Sequence, residues 1–215
     1  MKLEVPLIRQ AVDSVDCGLA GLAMILNYHG KKTSLEQLKT EIAVDEIGTY
    51  APQLGNYVLS RGFEVRLVSL HPALFSLADV GMTQEQVMQR LVEKHELGDE
   101  RRQMVIQHFI DFLEAGGEVQ VQRPDEKIIR EEIESQRPVC ALLTSNVLNG
   151  KGGNFNFHFN VVIGIDEEHI TVLDPMWDER GGEHSYSIED FLYALYASAY
   201  GDLDNASLLL IQPKK

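Results

Sequence analysis

Apolar residues recur at helical spacing in the first third of the chain. After Cys17 the positions that carry this pattern are Leu19, Leu22, Ala23, Ile25 and Leu26. The pattern predicts a helix from Cys17 to Gly30, where glycine is a common C-terminal stop. Capping residues and periodicity predict two further helices at 33–42 and 51–61, and a loose alternation predicts a strand at 63–70.

The pattern changes between residues 73 and 120. Helices are predicted at 83–95 and 99–115, with two glycines stopping the second one. A short edge strand is predicted around Val119 and Val121. The block is polar and rich in Gln and Met, so we expect a helical insertion that lies over one side of a single domain spanning 1–215.

The last third of the chain is mainly β. After a helix at 125–136, strands are predicted at 139–143, 157–165, 169–173 and 208–211, with a helix at 187–199 and an open loop at 149–156. Helices first and antiparallel strands later indicate an α+β fold in which N-terminal helices pack on a C-terminal antiparallel sheet.

Charge and hydropathy narrow the possible partners. The chain has 33 acidic and 19 basic residues and a formal net charge of −14. Phosphate backbones require clustered Lys and Arg, which the sequence lacks, so no nucleic-acid partner is expected. No window has the ~18 apolar residues of a membrane span, and residues 1–6 do not resemble a signal peptide. We therefore expect a cytoplasmic protein without a membrane contact.

The two cysteines occupy different settings. Cys140 lies in a predicted buried strand and is interpreted as a structural residue. The sequence has no CxxC, HxH or HExxH pattern, so neither a metal site nor a cofactor is predicted.

Cys17 stands at a predicted helix start, where the helix dipole and free N–H groups favour a thiolate. Gly18 follows it and allows another chain segment to approach closely. This position suits a nucleophile, but it also suits a structural cysteine. To act as a nucleophile, Cys17 requires a base and a group that orients that base.

His158 and Asp174 can supply these two functions. They lie on consecutive predicted strands, 157–165 and 169–173, separated by the turn 166–168. A three-residue turn would pair Ile165 with His169 and make His158 and Asp174 diagonal neighbours on one face; a one-residue turn would pair them directly. A loop with an even number of residues would not make them neighbours on one face. Both residues also have ordinary interpretations, as a polar strand start and as the Asp-Pro that begins a turn.

Several segments together resemble the double-glycine, bacteriocin-processing cysteine peptidases. Asp16-Cys17-Gly18 and the helix to Gly30 resemble the nucleophile segment of this family. Residues 158–164 resemble its histidine strand, and Leu173-Asp174-Pro175 resembles its DP motif. The resemblance covers roughly 5–70 and 127–200 and leaves 73–120 without a counterpart.

The resemblance implies a papain-like fold in which Cys17 and His158 form the catalytic pair and Asp174 orients His158. It also implies an oxyanion donor, for which Gln10 is the candidate, although Gln10 precedes Cys17 by seven positions where six is usual. Family members are usually fused to a membrane transporter, so a chain without a membrane segment is expected to be a free-standing relative.

The first functional hypothesis is a cysteine endopeptidase that cleaves a peptide or protein substrate through a thioester, with cleavage after Gly-Gly implied by the resemblance. Two alternatives stay open. A deamidase or an acyl or peptidyl transferase would use the same triad, and a catalytically silent peptide-binding module would use the helical block as an interaction surface. The sequence gives no oligomeric state.

Overall fold

The computed structural model describes residues 1–150 and 157–214. Its helices are α1 (Cys17–Tyr28), α2 (Leu35–Glu41), α3 (Ala51–Ser60), α4 (Gln84–Glu96), α5 (Glu100–Glu114), α6 (Glu126–Glu134), α7 (Ser145–Leu148) and α8 (Ile188–Ala197). Its strands are β1 (Phe63–Ser69), β2 (Glu118–Val121), β3 (Val139–Thr144), β4 (Phe157–Ile165), β5 (His169–Asp174), β6 (Gly182–Ser187) and β7 (Ser207–Pro213). Most of the open loop expected at 149–156 lies outside the described residues.

The strands of the described residues form one sheet in the order β2-β1-β7-β3-β4-β5-β6. All neighbours are antiparallel except β1 and β2, which are parallel. Helices α1, α3 and α5 share one apolar cluster on one side of the sheet, and α6 and α8 share a second cluster on the other side. The predicted α+β class is confirmed.

Helix α1 lies in the centre of the first cluster. Every residue from Gly18 to Leu26 is buried, because the helix packs against α2, α3 and β4. A helix that is apolar on nearly all sides belongs inside a protein. Its first residue, Cys17, is therefore fixed by the core and is still partly exposed at the helix end.

The helices and the edge strand predicted for residues 73–120 are present, but the block is not a polar cover. Six side chains of α4 and α5 are buried in the cluster that surrounds α1: Val87, Leu91, Val105, Ile106, Phe109 and Phe112. Strand β2 adds to the main sheet beside β1. The ring of Phe112 lies so close to Gly55 of α3 that a Cβ there would come within 2.7 Å of it.

The turn between β4 and β5 differs from both predicted versions. Ile165 pairs with Ile170, not with His169, so four residues lie between the first paired positions, although only 166–168 lie between the ends of β4 and β5. The carboxylate of Asp166 accepts the N–H groups of Glu168 and His169, at 2.9 and 2.8 Å, and this side-chain cap favours the longer turn.

A β-bulge on β4 compensates for this even-residue loop. The register shifts between Val162 and Gly164, and beyond the shift Val162 pairs with Val172 and Val161 with Leu173. The pairing expected at the Asp174 end of the hairpin is thereby restored. The first residues of the chain lie against the bulge, with the Leu3 N–H donating to the Ile163 oxygen at 2.7 Å.

Two elements have no counterpart among the predictions. Strand β6 is the polar segment Gly-Glu-His-Ser-Tyr-Ser on the sheet edge, and α7 has only four residues. Neither carries a strong hydrophobic period. Among the helices that the structure describes, none has the length and apolar character needed to cross a membrane.

Candidate active site

Cys17 begins α1, and the first turn of this helix has no side-chain cap. The N-cap residue Asp16 makes no capping hydrogen bond. Its carboxylate instead contacts the Lys39 Nζ at 2.8 Å. The backbone N–H of Gly18 is directed at the Cys17 sulfur. The positive end of the helix dipole therefore acts on the thiol.

Gly18 allows the wall of the site to approach the nucleophile helix. A Cβ at this position would lie 2.3 Å from the Thr49 Oγ1 and 3.0 Å from side chains of Leu54 and Phe159. The loop before α3 therefore packs against the first turn of α1, beside Cys17.

His158 and Asp174 form a buried pair. The His158 Nε2 lies 2.8 Å from the Asp174 Oδ1, and the same oxygen accepts the Met176 N–H at 2.8 Å. The side chains of His158 and Cys17 are also hydrogen-bonded. Since Nε2 is engaged by Asp174, the Nδ1 atom of His158 is the one that faces the sulfur.

The electrostatics of the pair favour the ionised forms. Burial alone would raise the pKa of the Cys17 thiol, but the charge and hydrogen bond of His158 and the N–H groups of Phe159 and Gly18 lower it overall. Burial alone would lower the pKa of His158, but the charge of Cys17 and the hydrogen bond of Asp174 raise it. Burial also opposes the charge on Asp174, whose pKa is nevertheless lowered by His158 and the Met176 N–H. The site therefore favours a thiolate beside an imidazolium.

Gln10 is buried in the segment that precedes α1. Its backbone N–H donates to the Pro175 oxygen at 2.8 Å, one residue after Asp174. Its side-chain Nε2 donates to the Ser14 oxygen at 2.6 Å. Asp13, with φ of 54°, bends the segment between Gln10 and Cys17. This left-handed residue accommodates the unusual seven-residue spacing.

Cys140 is the second cysteine of the chain. It is buried on β3 within the apolar cluster, and burial together with the charge of Cys17 raises its pKa. Both cysteines are free thiols, and in residues 1–150 and 157–214 no group of three or more His, Cys, Asp or Glu side chains could hold a metal ion.

The sequence did not predict two contributors to the site. The ion pair between Asp16 and Lys39 joins α1 to α2, and the Phe159 N–H acts on the sulfur from β4. The polar residue before Cys17 was visible in the sequence, but its partner is set by helix packing and had no sequence signal.

A cysteine at the start of a buried helix, facing a His–Asp pair on an antiparallel sheet, is similar to the arrangement in papain-like cysteine peptidases. The Peptidase C39 family model matches residues 4–87 of this chain. The predicted resemblance to the double-glycine peptidases is confirmed for this part of the chain. The matched segment includes Gln10 and Cys17 but not His158 or Asp174.

Two curated relatives match about a third of the chain. The transport/processing ATP-binding protein ComA of Streptococcus pneumoniae, in strains R6 and TIGR4, is 36% identical over 72 residues, which are 34% of this chain. The matched region is 10% of each relative, so the chain spans about a tenth of the length of these proteins.

Solved structures share the fold over the whole chain. The peptidase domain of Streptococcus ComA has a TM-score of 0.51 at 16% identity and covers 98% of this chain and 100% of its own. A double-glycine motif protease from an AMS/PCAT transporter, solved with its leader peptide, has a TM-score of 0.51 at 17% identity. The match covers 99% of this chain and 94% of that protease. A putative C39-like peptidase from Bacillus anthracis has a TM-score of 0.55 at 14% identity, and the match covers both chains fully. The predicted papain-like fold is confirmed.

Proposed function

We propose that this protein is a cysteine endopeptidase with Cys17 as nucleophile, His158 as general base and acid, and Asp174 as the residue that orients His158. One observation carries the proposal: Asp174 binds the Nε2 of His158 at 2.8 Å, so that Nδ1 meets the thiol at the uncapped start of α1. A buried imidazole held in this way between a carboxylate and a sulfur is arranged for proton transfer.

The reaction would proceed in two halves. The Cys17 thiolate attacks the carbonyl carbon of the substrate peptide bond, and the negative charge that develops on the oxygen is met by the Cys17 N–H and the Gln10 amide. The Nδ1–H of His158 protonates the leaving amine, which departs and leaves a thioester. His158 then takes a proton from water, and the resulting hydroxide attacks the thioester to release the acid and restore the thiol.

The substrate class is a peptide containing a Gly-Gly pair. A structural neighbour is a double-glycine motif protease bound to its leader peptide, and a curated relative is a transport/processing protein. Both support a peptide substrate, and the first makes Gly-Gly the sequence to test. We also propose that the chain is one domain, with 73–120 as a helical insertion into the papain-like fold.

A peptide digest tests this function. The protein is incubated with a library of peptides carrying Gly-Gly and with the same peptides carrying Ala-Ala, and products are identified by mass spectrometry. We expect backbone cleavage with the wild type and none with Cys17→Ala. Cleavage restricted to the Gly-Gly set supports the proposed specificity, and equal cleavage of both sets contradicts it.

The same digest distinguishes the other enzyme classes. Ammonia release without backbone cleavage, or transfer of an acyl group to an added amine, would replace the endopeptidase by a deamidase or a transferase on the same triad. Binding of peptides with no product of any kind would replace it by a peptide-binding module.

A further inference from the structure

The residue before the nucleophile has an unusual role for a helix N-cap. In α5 and α6, the N-cap residues Asp99 and Asp125 accept the N–H groups of Arg102 and Ile128 through their carboxylates. Asp16 holds the equivalent position in α1 but makes no such bond. One chain thus contains two aspartates that cap their helices and one that does not.

The carboxylate of Asp16 is held by Lys39. Its side chain is only 4% exposed, and its Oδ2 lies 2.8 Å from the Nζ of Lys39, which extends from α2 and is 43% exposed. A buried carboxylate needs a partner of opposite charge or hydrogen-bond donors. Here the ammonium group provides both, and the carboxylate remains turned away from the first turn of α1.

We propose that Lys39 is a positioning residue for the nucleophile: by holding the Asp16 carboxylate, it keeps the first N–H groups of α1 available to the Cys17 sulfur and to the substrate oxyanion. This inference rests on the proposed function of Cys17. Lys39 touches neither the thiol nor, on this account, the substrate, and acts only through Asp16.

Two physical effects follow from loss of the ammonium group. The buried carboxylate loses its counter-ion. If the backbone of Asp16, now at φ −82° and ψ 12°, then takes the extended form of Asp99 and Asp125, the carboxylate accepts the N–H groups of α1. Accepting them removes donors from the sulfur and moves a negative charge towards it. Both changes disfavour the thiolate, although His158 still faces it.

The test compares alkylation of Cys17 by iodoacetamide across pH in Lys39→Met, Lys39→Arg and the wild type. We expect the pH midpoint of Lys39→Met to rise by about one unit, which corresponds to a roughly tenfold slower reaction on the acidic limb. Lys39→Arg keeps the charge and should retain the wild-type midpoint. Lys127→Met serves as the matched control, because Lys127 forms an exposed pair with Glu131 on α6.

A double variant separates this role from a loss of packing. Asp16→Ala combined with Lys39→Met removes the carboxylate along with its partner, and we expect the midpoint to return to the wild-type value. A Lys39→Met protein that is folded and has an unshifted midpoint overturns the proposal. A shift that persists in the double variant also overturns it.

These readouts require no peptide substrate. Failure of the endopeptidase proposal appears as absence of product in the peptide digest, whereas failure of the Lys39 proposal appears as an unchanged or unrescued alkylation midpoint.

Discussion

The orientation of one imidazole ring determines the chemistry of the site. The Oδ1 atom of Asp174 accepts hydrogen bonds from the His158 Nε2 and from the Met176 N–H. The backbone that follows Asp174 therefore fixes its carboxylate. Cys17 is fixed by the core helix that it begins. Each partner is therefore positioned independently, and side-chain substitutions can test each one separately.

Replacement of Asp174 separates orientation from charge. In Asp174→Asn, the amide oxygen can still accept from His158 and Met176, so we expect peptidase activity to fall less than about tenfold, in keeping with papain-like enzymes that use asparagine. Asp174→Ala leaves the ring unsupported, and we expect a loss of about 100-fold or more. The measurement is kcat/KM on a cleaved peptide.

Loss of the negative charge of Asp174 should change the pH dependence of activity in the same variants. The raised pKa of His158 depends in part on Asp174, so the alkaline limb of the Asp174→Asn profile should move to lower pH. Equal losses in both variants, with no movement of this limb, would contradict the orienting role.

Gln10 tests the oxyanion assignment. We expect Gln10→Ala to lower kcat by about 100-fold, the usual cost of one oxyanion donor, while the rate of Cys17 alkylation stays unchanged because no oxyanion forms in that reaction. Since the Gln10 side chain also binds the Ser14 oxygen, thermal unfolding is measured alongside. A parallel loss of alkylation would show that Gln10 supports the nucleophile instead.

At the scale of elements, the sequence predicted the helix that carries Cys17 and the hairpin that carries His158 and Asp174, because both have strong hydrophobic periods. The pairing across the turn was predicted wrongly, because Ile165 pairs with Ile170 and not with His169. The carboxylate of Asp166 caps this turn, and the bulge at Ile163 lies against residues 1–3, which are far away in sequence. A local pattern carries no information about such a contact.

Strand β6 and the Lys39 ion pair were missed for a related reason. Strand β6 is polar and is a strand only because β5 offers it an edge, and Lys39 meets Asp16 only because α2 packs on α1. The predicted helix and hairpin suggested Cys17, His158 and Asp174 as site residues, whereas the role of Gln10 came from the resemblance alone.

The start of α3 gives a prediction about stability. The buried Asp204 accepts the Ala51 N–H at 2.7 Å, and burial raises its pKa to about 7. The folded protein therefore keeps a proton that the unfolded chain loses near its ordinary pKa of ~4, so this group lowers stability as pH rises from about 4 to about 7.

Replacement of Asp204 by a residue that does not titrate should remove this fall of stability with pH. We expect Asp204→Asn to match the wild type near pH 4 and to exceed its free energy of unfolding at pH 8 by on the order of 1–3 kcal/mol. Urea unfolding at both pH values measures the difference, and Glu134→Gln, on an exposed side chain, is the control. A constant difference at both pH values would contradict the assignment.

At the scale of the molecule, residues 73–120 are integrated into the core. The sequence suggested a polar layer because the exposed faces of α4 and α5 contain most of its charged residues, and periodicity alone did not show how deep the apolar faces are buried. Phe112, packed against Gly55 and Gly117, is the clearest example.

Truncation of Phe112 measures this integration. We expect Phe112→Ala to lower the free energy of unfolding by about 3–5 kcal/mol, the usual cost of removing a buried aromatic ring. Met104→Ala on the exposed side of the same helix should cost much less. Equal small effects, measured by urea unfolding, would show that the block is attached loosely.

The central claim is that Cys17 is a thiolate paired with the imidazolium of His158. The most direct test is the rate of Cys17 alkylation by iodoacetamide from pH 4 to 9, mapped by mass spectrometry in the wild type and in His158→Ala, with the buried Cys140 as an internal control. We predict rapid reaction of the wild type at about pH 5–6 and a midpoint of ~8.5 in His158→Ala. A wild-type curve that rises only near ~8.5 and coincides with that of His158→Ala would contradict it.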